Sequence, residues 1–136
     1  MSKKNLMALD VGTRRIGVAL ADSGIRIAVP LTTIEVDDNH SEIEQIIQII
    51  TREKINILVI GLPRNLSGEE TAQSSYTKNF AQNFEFAVDK IDFQDESLTS
   101  VQAEDLLKSY KKPYSKGDID MNAAAIILQD YLEENF

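Results

Sequence analysis

Three carboxylate side chains lie where the sequence predicts the end or the beginning of a structural element. Asp10 ends a short apolar run at residues 6–9, Glu96 follows the last strand-like segment, and Asp120 precedes an alanine-rich helical segment. Burying an unpaired carboxylate is costly, so a chain that ends a core strand in this way is expected to supply a partner for the charge. A bound metal ion is one such partner.

The chemistry of the donor atoms indicates which metal ion would bind. The chain has no cysteine and a single histidine, His40, which we place at the surface near a helix start. Oxygen-only ligation favours Mg²⁺ or Mn²⁺ over Zn²⁺. Two such ions about 4 Å apart can hold the attacking and the leaving oxygen of an in-line phosphoryl displacement. Water is then the nucleophile, and the residues are those of a metal-dependent phosphodiester enzyme.

The elements that must position these carboxylates follow from the apolar pattern. Three short runs, at residues 6–9, 16–21 and 25–34, predict an antiparallel meander, and Pro30 places the third run at an edge or at an interruption. Isoleucines 43, 46, 47 and 50 predict a helix that Ser41 and Glu44 open as a capping box. The later elements are a parallel strand at 57–60, a helix over about 69–86, a strand at 88–93, a helix opening at Thr99, and a final helix with Asp120 as its N-cap.

These elements predict an α/β fold with a mixed five-stranded sheet flanked by helices, which we write as βββαβαβα. Sites in open α/β sheets form at the carboxyl ends of parallel strands. Asp10 and Glu96 end strands, and Asp120 points toward the same edge if its helix packs across the sheet. Convergence would raise the pKa of at least one carboxyl in the absence of a cation. It depends on the strand order, which the sequence does not determine.

Length and composition indicate a globular protein of one domain, residues 1–136. The N-terminus leads into a strand without the apolar segment of a signal peptide, and no apolar run approaches the ~20 residues of a membrane span. We therefore predict a cytoplasmic protein that does not contact membranes.

The net charge of −8 argues against binding to nucleic acid, but the basic residues are clustered. Residues 108–116 contain Lys108, Lys111, Lys112 and Lys116 and no acidic residue. Such a segment permits a local phosphate-binding face with weak, salt-sensitive affinity. The alternative, that these lysines only keep the surface solvated, remains open.

The candidate substrate-binding residues are basic or amide side chains near the predicted site: Arg14, Arg15, Arg64, Asn65 and Lys116. An arginine close after Asp10 can bind a phosphate through two hydrogen bonds, or it can remain solvated. The loop at residues 63–68 follows a predicted buried strand, where a substrate backbone can approach, or it only connects that strand to the next helix.

Four segments together resemble one family. They are LDVGTRRIGVA at residues 9–19, GLP at 61–63 with NLSG at 65–68, DESLT at 95–99, and Ile119-Asp120 before the alanine-rich helix. In this order the chain is similar over essentially its whole length to the YqgF-type (RuvX-like) nucleases. These are relatives of the Holliday-junction resolvases in the RNase H-like superfamily.

The resemblance implies an RNase H-like fold and a metal-dependent endonuclease acting on structured nucleic acid. Asp10, Glu96 and Asp120 correspond to the acidic triad of the family, with Asp118 as an auxiliary ligand or a bystander. The family is associated with trimming the 5′ end of precursor 16S rRNA, and its older label is Holliday-junction resolvase, so RNA is favoured and branched DNA is the alternative. This chain departs from the family pattern at Ser97, where an arginine is usual.

Two other classes of protein share part of the pattern. The turn at residues 10–13 also resembles the first phosphate-binding loop of actin-like ATPases and sugar kinases, but those enzymes need two lobes and this chain supplies one. A non-catalytic nucleic-acid-binding or regulatory module on the same fold would be better served by Lys or Arg at the three acidic positions. We further hypothesise a ribosomal or other protein partner that brings a small acidic nuclease, monomer or homodimer, to its RNA.

Overall fold

The computed structural model describes residues 3–63, 71–96 and 99–136. The strands of this part are β1 (Asn5–Val11), β2 (Arg15–Asp22), β3 (Val29–Glu35), β4 (Ile57–Pro63) and β5 (Lys90–Glu96). The helices are α1 (Ser41–Glu53), α2 (Ala72–Ala81), α3 (Thr99–Ser109) and α4 (Lys116–Asn135), and a short 3₁₀ turn (Gln82–Phe84) follows α2.

The strands form one mixed sheet in the order β3-β2-β1-β4-β5. β2 is antiparallel to β1 and to β3, whereas β4 is parallel to β1 and to β5. Pro30 lies in the edge strand β3, where its missing N–H removes no hydrogen bond from the interior of the sheet. The predicted α/β class and the mixed five-stranded sheet are confirmed, and β1 is the central strand.

Alternating side chains divide β1 between two apolar layers. Met7 and Leu9 pack on one face of the sheet, in the cluster that includes residues of α1 and α2. Leu6 and Ala8 pack on the other face against α4. Asp10 follows Leu6 and Ala8 in this alternation, so its side chain lies on the face that α4 covers.

Two glycines allow α4 to pass close over the sheet beside Asp10. Gly17 pairs with Asp10 across β1 and β2, and a Cβ on Gly17 would lie 2.0 Å from the carbonyl oxygen of Asp120. A Cβ on Gly61 of β4 would lie 2.5 Å from Cδ1 of Ile127 and 3.1 Å from Oε2 of Glu96. Larger residues at either position would therefore push α4 away from the ends of the strands.

The final helix begins earlier than predicted. Its N-cap is Ser115, whose hydroxyl accepts a hydrogen bond from the backbone N–H of Asp118 at 3.2 Å. The Asp118 carboxylate accepts one in return from the N–H of Ser115 at 2.9 Å. This reciprocal box satisfies two N–H groups, so the prediction of Asp120 as N-cap is wrong and Asp120 lies in the second turn.

The predicted capping box of the first helix is also wrong. Ser41 is the first residue of α1, and His40 occupies the N-cap position with a left-handed φ of 56° and no side-chain cap. The carboxylate of Asp37 accepts hydrogen bonds from the backbone N–H and the hydroxyl of Ser41. Asp37 therefore accepts the backbone N–H that the capping-box pattern assigned to the side chain of Glu44. His40 is exposed near the helix start, as predicted.

Other boundaries differ by a few residues. β3 begins at Val29 rather than at residue 25, and β5 ends on Glu96 instead of before it. The helix predicted over 69–86 is α2 followed by the 3₁₀ turn, and residues 69 and 70 lie outside the described residues. Two helices follow β5, so the order βββαβαβα counts one helix too few.

None of the helices in residues 3–63, 71–96 and 99–136 combines the length and the apolar character that a membrane-crossing segment requires.

Replacing Gly17 by Ala tests the close approach of α4. We expect Gly17→Ala to lower the free energy of unfolding by about 2–3 kcal/mol, because the helix backbone must shift to admit the methyl group. Gly117→Ala is the matched control, since its Cβ would have no neighbour closer than 3.6 Å and α4 there is helical. Alanine at that site should be neutral or stabilising by up to about 1 kcal/mol in urea denaturation. Equal stabilities of Gly17→Ala and wild type would contradict the packing described.

Candidate active site

Asp10 and Glu96 form a hydrogen-bonded pair of carboxyl groups at the carboxyl ends of β1 and β5. Burial raises the pKa of Asp10 to about 9, and the hydrogen bond with Glu96 and the negative charges of Glu96 and Asp120 act in the same direction. Near neutral pH Asp10 is therefore protonated in the absence of a cation. The sequence-based expectation of a raised carboxyl pKa is confirmed at Asp10.

β4 separates the two strands that carry this pair. Pro63 of β4 is the register partner of Glu96, and Gly61 lies beneath the Glu96 carboxylate. Because Gly61 has no side chain, Glu96 can extend across β4 toward Asp10. The strand order, which the sequence left open, is what brings these two carboxyls together.

Asp120 lies beside the pair but binds a different partner. Nε of Arg15 donates a hydrogen bond to Oδ2 of Asp120 at 2.6 Å. The Arg15 side chain is 33 % exposed and that of Asp120 is 20 % exposed, so the ion pair lies at the mouth of the site. Arg15 was predicted to bind substrate, and in this structure its guanidinium neutralises one of the three acidic residues.

A polar cleft of about 480 Å³ joins these groups. Its walls come from the end of β1 and the following turn, from the start of β2, from β4 and β5, from the first turns of α2 and α3, and from the second turn of α4. The lining residues are Asp10, Val11, Gly12, Thr13, Arg15, Pro63, Gln73, Glu96, Thr99, Ser100, Val101 and Asp120.

The donor set of this cleft fits a hard divalent cation. Asp10 and Glu96 provide carboxyl oxygens on strand ends, and a cation between them would replace the proton of Asp10 and remove the repulsion. Within the described ranges, no group of three or more Asp, Glu or His side chains is arranged to hold a metal ion. Asp120, the third acidic residue of the cleft, is instead paired with Arg15 through Oδ2.

Two polar contacts that the sequence did not predict support the cleft. The hydroxyl of Thr99, the first residue of α3, donates to Oε1 of Glu96 at 3.1 Å and so fixes one oxygen of that carboxylate. Nε2 of Gln73 in α2 donates to the carbonyl of Val11 at 3.1 Å and ties the helix to the end of β1. Thr99 stands three residues after Glu96, a spacing that could have drawn attention to it, whereas no sequence signal marked Gln73.

The other predicted site residues do not line the described cleft. Arg14 is exposed in the turn before β2, Lys116 is exposed as the first residue of α4, and Asp118 belongs to the helix cap. Arg64 and Asn65 lie outside the described residues, as does Ser97, the position at which the chain departs from the family pattern.

Residues 4–134 match the family model described as "RuvX: Holliday junction resolvase". This chain belongs to the RuvX family. A relative from Chloroflexus aurantiacus named "Putative pre-16S rRNA nuclease" is 41% identical over 136 residues, which cover 98% of this chain and 89% of the relative. A relative of the same name from Crocosphaera subtropica is 40% identical, with 98% of this chain and 96% of the relative covered. The resemblance found from the sequence motifs is confirmed.

Solved structures show the fold of this RuvX-family chain. RuvC of T. thermophilus in complex with a Holliday junction superimposes with a TM-score of 0.59 at 13% identity, covering 96% of this chain and 94% of RuvC. The Fowlpox virus resolvase with junction DNA gives a TM-score of 0.57 at 14% identity, covering 96% and 97%. At these identities the similarity concerns the fold alone, and it confirms the predicted RNase H-like architecture.

The pKa of Asp10 has a consequence for stability. Between the ordinary value of 3.8 and about 9, the unfolded chain releases a proton that the folded chain retains, so this carboxyl lowers stability as pH rises. Without divalent cations, Asp10→Asn should raise the melting temperature at pH 8 by roughly 3–6 °C and change it little at pH 4. The exposed Asp105→Asn on α3 serves as the control and should melt like wild type at both pH values. A variant Asp10→Asn that is no more stable at pH 8 would contradict the raised pKa.

Proposed function

We propose that this chain is an endonuclease that requires Mg²⁺ or Mn²⁺ and hydrolyses phosphodiester bonds in structured RNA, with precursor 16S rRNA as its substrate. The observation that carries the proposal is the hydrogen-bonded Asp10–Glu96 pair at the strand ends, with Asp120 beside it in an open polar cleft. Such carboxyls are destabilising by themselves and become useful when a cation and a phosphate occupy the cleft.

The relatives support RNA as the substrate class. Those at about 40% identity over nearly the whole chain are named as nucleases of pre-16S rRNA. The family description favours the second candidate, a resolvase of Holliday junctions. The solved resolvases share the fold at 13–14% identity, which leaves the junction as the alternative substrate.

The residues of the cleft have different proposed roles. Asp10, Glu96 and Asp120 would hold the cations, of which we propose two. When bound, the cations supply positive charge that stabilises the developing charge on the phosphate and lowers the pKa of the attacking water. Thr99 fixes Oε1 of Glu96, and the other oxygen, Oε2, lies near Gly61. Arg15 at the mouth of the cleft can bind a phosphate oxygen through its planar guanidinium.

A basic turn provides a path for nucleic acid outside the cleft. We define this basic turn as Lys108, Lys111, Lys112 and Lys116, all of which are exposed. It joins α3, which starts at the cleft, to α4, which carries Asp120 four residues after Lys116 and so on the same helix face. Tyr110 in the turn is 57% exposed and offers a face on which a base can stack. Arg14, Arg64 and Asn65 remain proposed substrate contacts on the basis of the sequence.

The net charge of −8 limits what this path can achieve unaided. The basic turn offers only four lysines to the phosphate backbone of an RNA. The affinity of the protein for RNA should therefore be modest and should fall steeply with salt concentration. We propose that the protein acts in the cytoplasm and that a ribosomal or other protein partner presents the precursor RNA.

Single-turnover cleavage tests the proposed function. We expect a labelled 5′ fragment of precursor 16S rRNA to be cut faster than a four-way DNA junction, with Mg²⁺ or Mn²⁺ required and EDTA inhibitory. Preference for the junction would favour the resolvase. If wild-type protein binds the RNA but cuts neither substrate with any metal ion, it is a binding module.

Two neighbouring aspartates in α4 provide a matched comparison in the same assay. Asp120→Asn should slow cleavage at least about 100-fold, because it removes a proposed ligand. Asp118→Asn should stay within about threefold of wild type under conditions where both variants are folded, since it removes only part of a helix cap. Equal losses in the two variants would make Asp118 a ligand as well.

A further inference from the structure

We propose that Arg15 holds Asp120 away from the Asp10–Glu96 pair in the free protein and that a phosphate group of the nucleic acid releases it. The substrate would thereby complete the metal site. This inference rests on the proposed function, because it assumes that the three carboxylates bind cations.

The contact between Arg15 and Asp120 is the first observation. At 2.6 Å between Nε and Oδ2 it is a short, charge-assisted hydrogen bond, the strong type of polar contact in proteins. Arg15 begins β2 and Asp120 lies in α4, and the two residues are 105 positions apart in the sequence. This ion pair at the mouth of the cleft gives Oδ2 of Asp120 a charged partner within the chain, with which a metal ion would have to compete.

The backbone around this ion pair is fixed, so a change of partner requires only side-chain rotation. Gly12 donates its N–H to the carbonyl of Arg15 at 3.0 Å and closes the turn before β2. The backbone of Arg15 is also held by the antiparallel pairing of β2 with β3, in which its register partner is Glu35. The backbone of Asp120 lies directly over Gly17. The Arg15 side chain is long and one-third exposed, so it can turn toward a phosphate in the cleft while Asp120 turns toward Asp10.

The charges in the cleft make the two events interdependent. The guanidinium of Arg15 is a cation next to the proposed metal site. It competes with the metal ion for Asp120, and its positive charge repels the metal ion. A phosphate that draws Arg15 away removes both effects and raises the affinity for the metal ion. By linkage, a metal ion that takes Asp120 must raise the affinity for the phosphate by the same factor.

A simple structural role for the ion pair makes a different prediction. If Arg15 and Asp120 only hold β2 and α4 together, replacing Arg15 lowers stability and leaves the coupling between metal ion and nucleic acid unchanged. The metal affinity of the variant, measured without activity, therefore separates the two roles.

The test is a titration of the protein with Mn²⁺. Binding is measured by calorimetry or from the electron paramagnetic resonance signal of free Mn²⁺. The nucleic-acid probe is an RNA hairpin with phosphorothioate linkages, checked by gel to be intact after each titration. The proteins are wild type, Arg15→Gln, Asp120→Asn and the double variant. Arg52→Gln, which removes a charge from the exposed Arg52–Glu53 pair on α1, is the control. Arg15→Lys is measured as well, so that the comparison with wild type remains if circular dichroism shows that Arg15→Gln does not fold.

We expect the hairpin to tighten Mn²⁺ binding to wild type and to Arg52→Gln by at least about fivefold. Arg15→Gln without RNA should already bind Mn²⁺ more tightly than wild type by a similar factor, and the hairpin should add little. In the Asp120→Asn background the gain from Arg15→Gln should disappear, because Arg15 acts through Asp120. Arg15→Lys, which keeps the charge but loses the planar contact, should fall between wild type and Arg15→Gln.

The opposite results overturn the inference. If Arg15→Gln binds Mn²⁺ no more tightly than wild type, or if the hairpin tightens Mn²⁺ binding equally in both, Arg15 does not restrain Asp120. A gain that persists in Asp120→Asn would mean that Arg15 acts only by its charge. If wild type does not bind Mn²⁺ at all, the proposed function fails first, and this outcome is distinct from Mn²⁺ binding without coupling.

Discussion

The hydrogen-bonded carboxyl groups of Asp10 and Glu96, at the ends of β1 and β5, are the constraint on which the site depends. Burial and neighbouring negative charge oppose the ionisation of Asp10, so without a cation Asp10 retains its proton near neutral pH. A chain selected only for stability would fill these positions with apolar or neutral residues. The rest of the cleft makes sense as a means of tolerating this pair and of using it.

The packing of α4 follows from the same requirement. To bring Asp120 beside Asp10, a helix must cross the sheet where β1, β2 and β4 carry their smallest side chains. Gly17 and Gly61 admit the helix, and the alanines on the facing side of α4, Ala123 and Ala124, are completely buried. Overpacking at either glycine would therefore disturb the chemistry as well as the core.

Much of this arrangement could be predicted from particular residues. Asp10, Glu96 and Asp120 were identifiable because each stands at the boundary of an apolar element, and the motifs around them indicated the family. The strand order could not be deduced, because the pattern of apolar residues says which segments are strands but not which are neighbours. The Ser115–Asp118 capping box was visible in the sequence. Asp120 was nevertheless predicted to be the N-cap, because it stands nearer the alanine-rich run.

No pattern in the sequence predicted the ion pair between Arg15 and Asp120. The two residues are 105 positions apart, and their contact depends on the crossing of α4 over β2. Sequence reasoning assigned Arg15 to a phosphate and Asp120 to a metal ion. In the structure each holds the other, so these two opposite charges are satisfied within the chain.

The most direct test of the central claim is anomalous scattering from crystals of the protein grown with Mn²⁺. The account predicts a peak about 2.2 Å from carboxyl oxygens of both Asp10 and Glu96, lost in crystals of Asp10→Asn. Ordered crystals at saturating Mn²⁺ with no peak between these residues, or with a peak that survives Asp10→Asn, would contradict the claim that this pair exists to bind a cation.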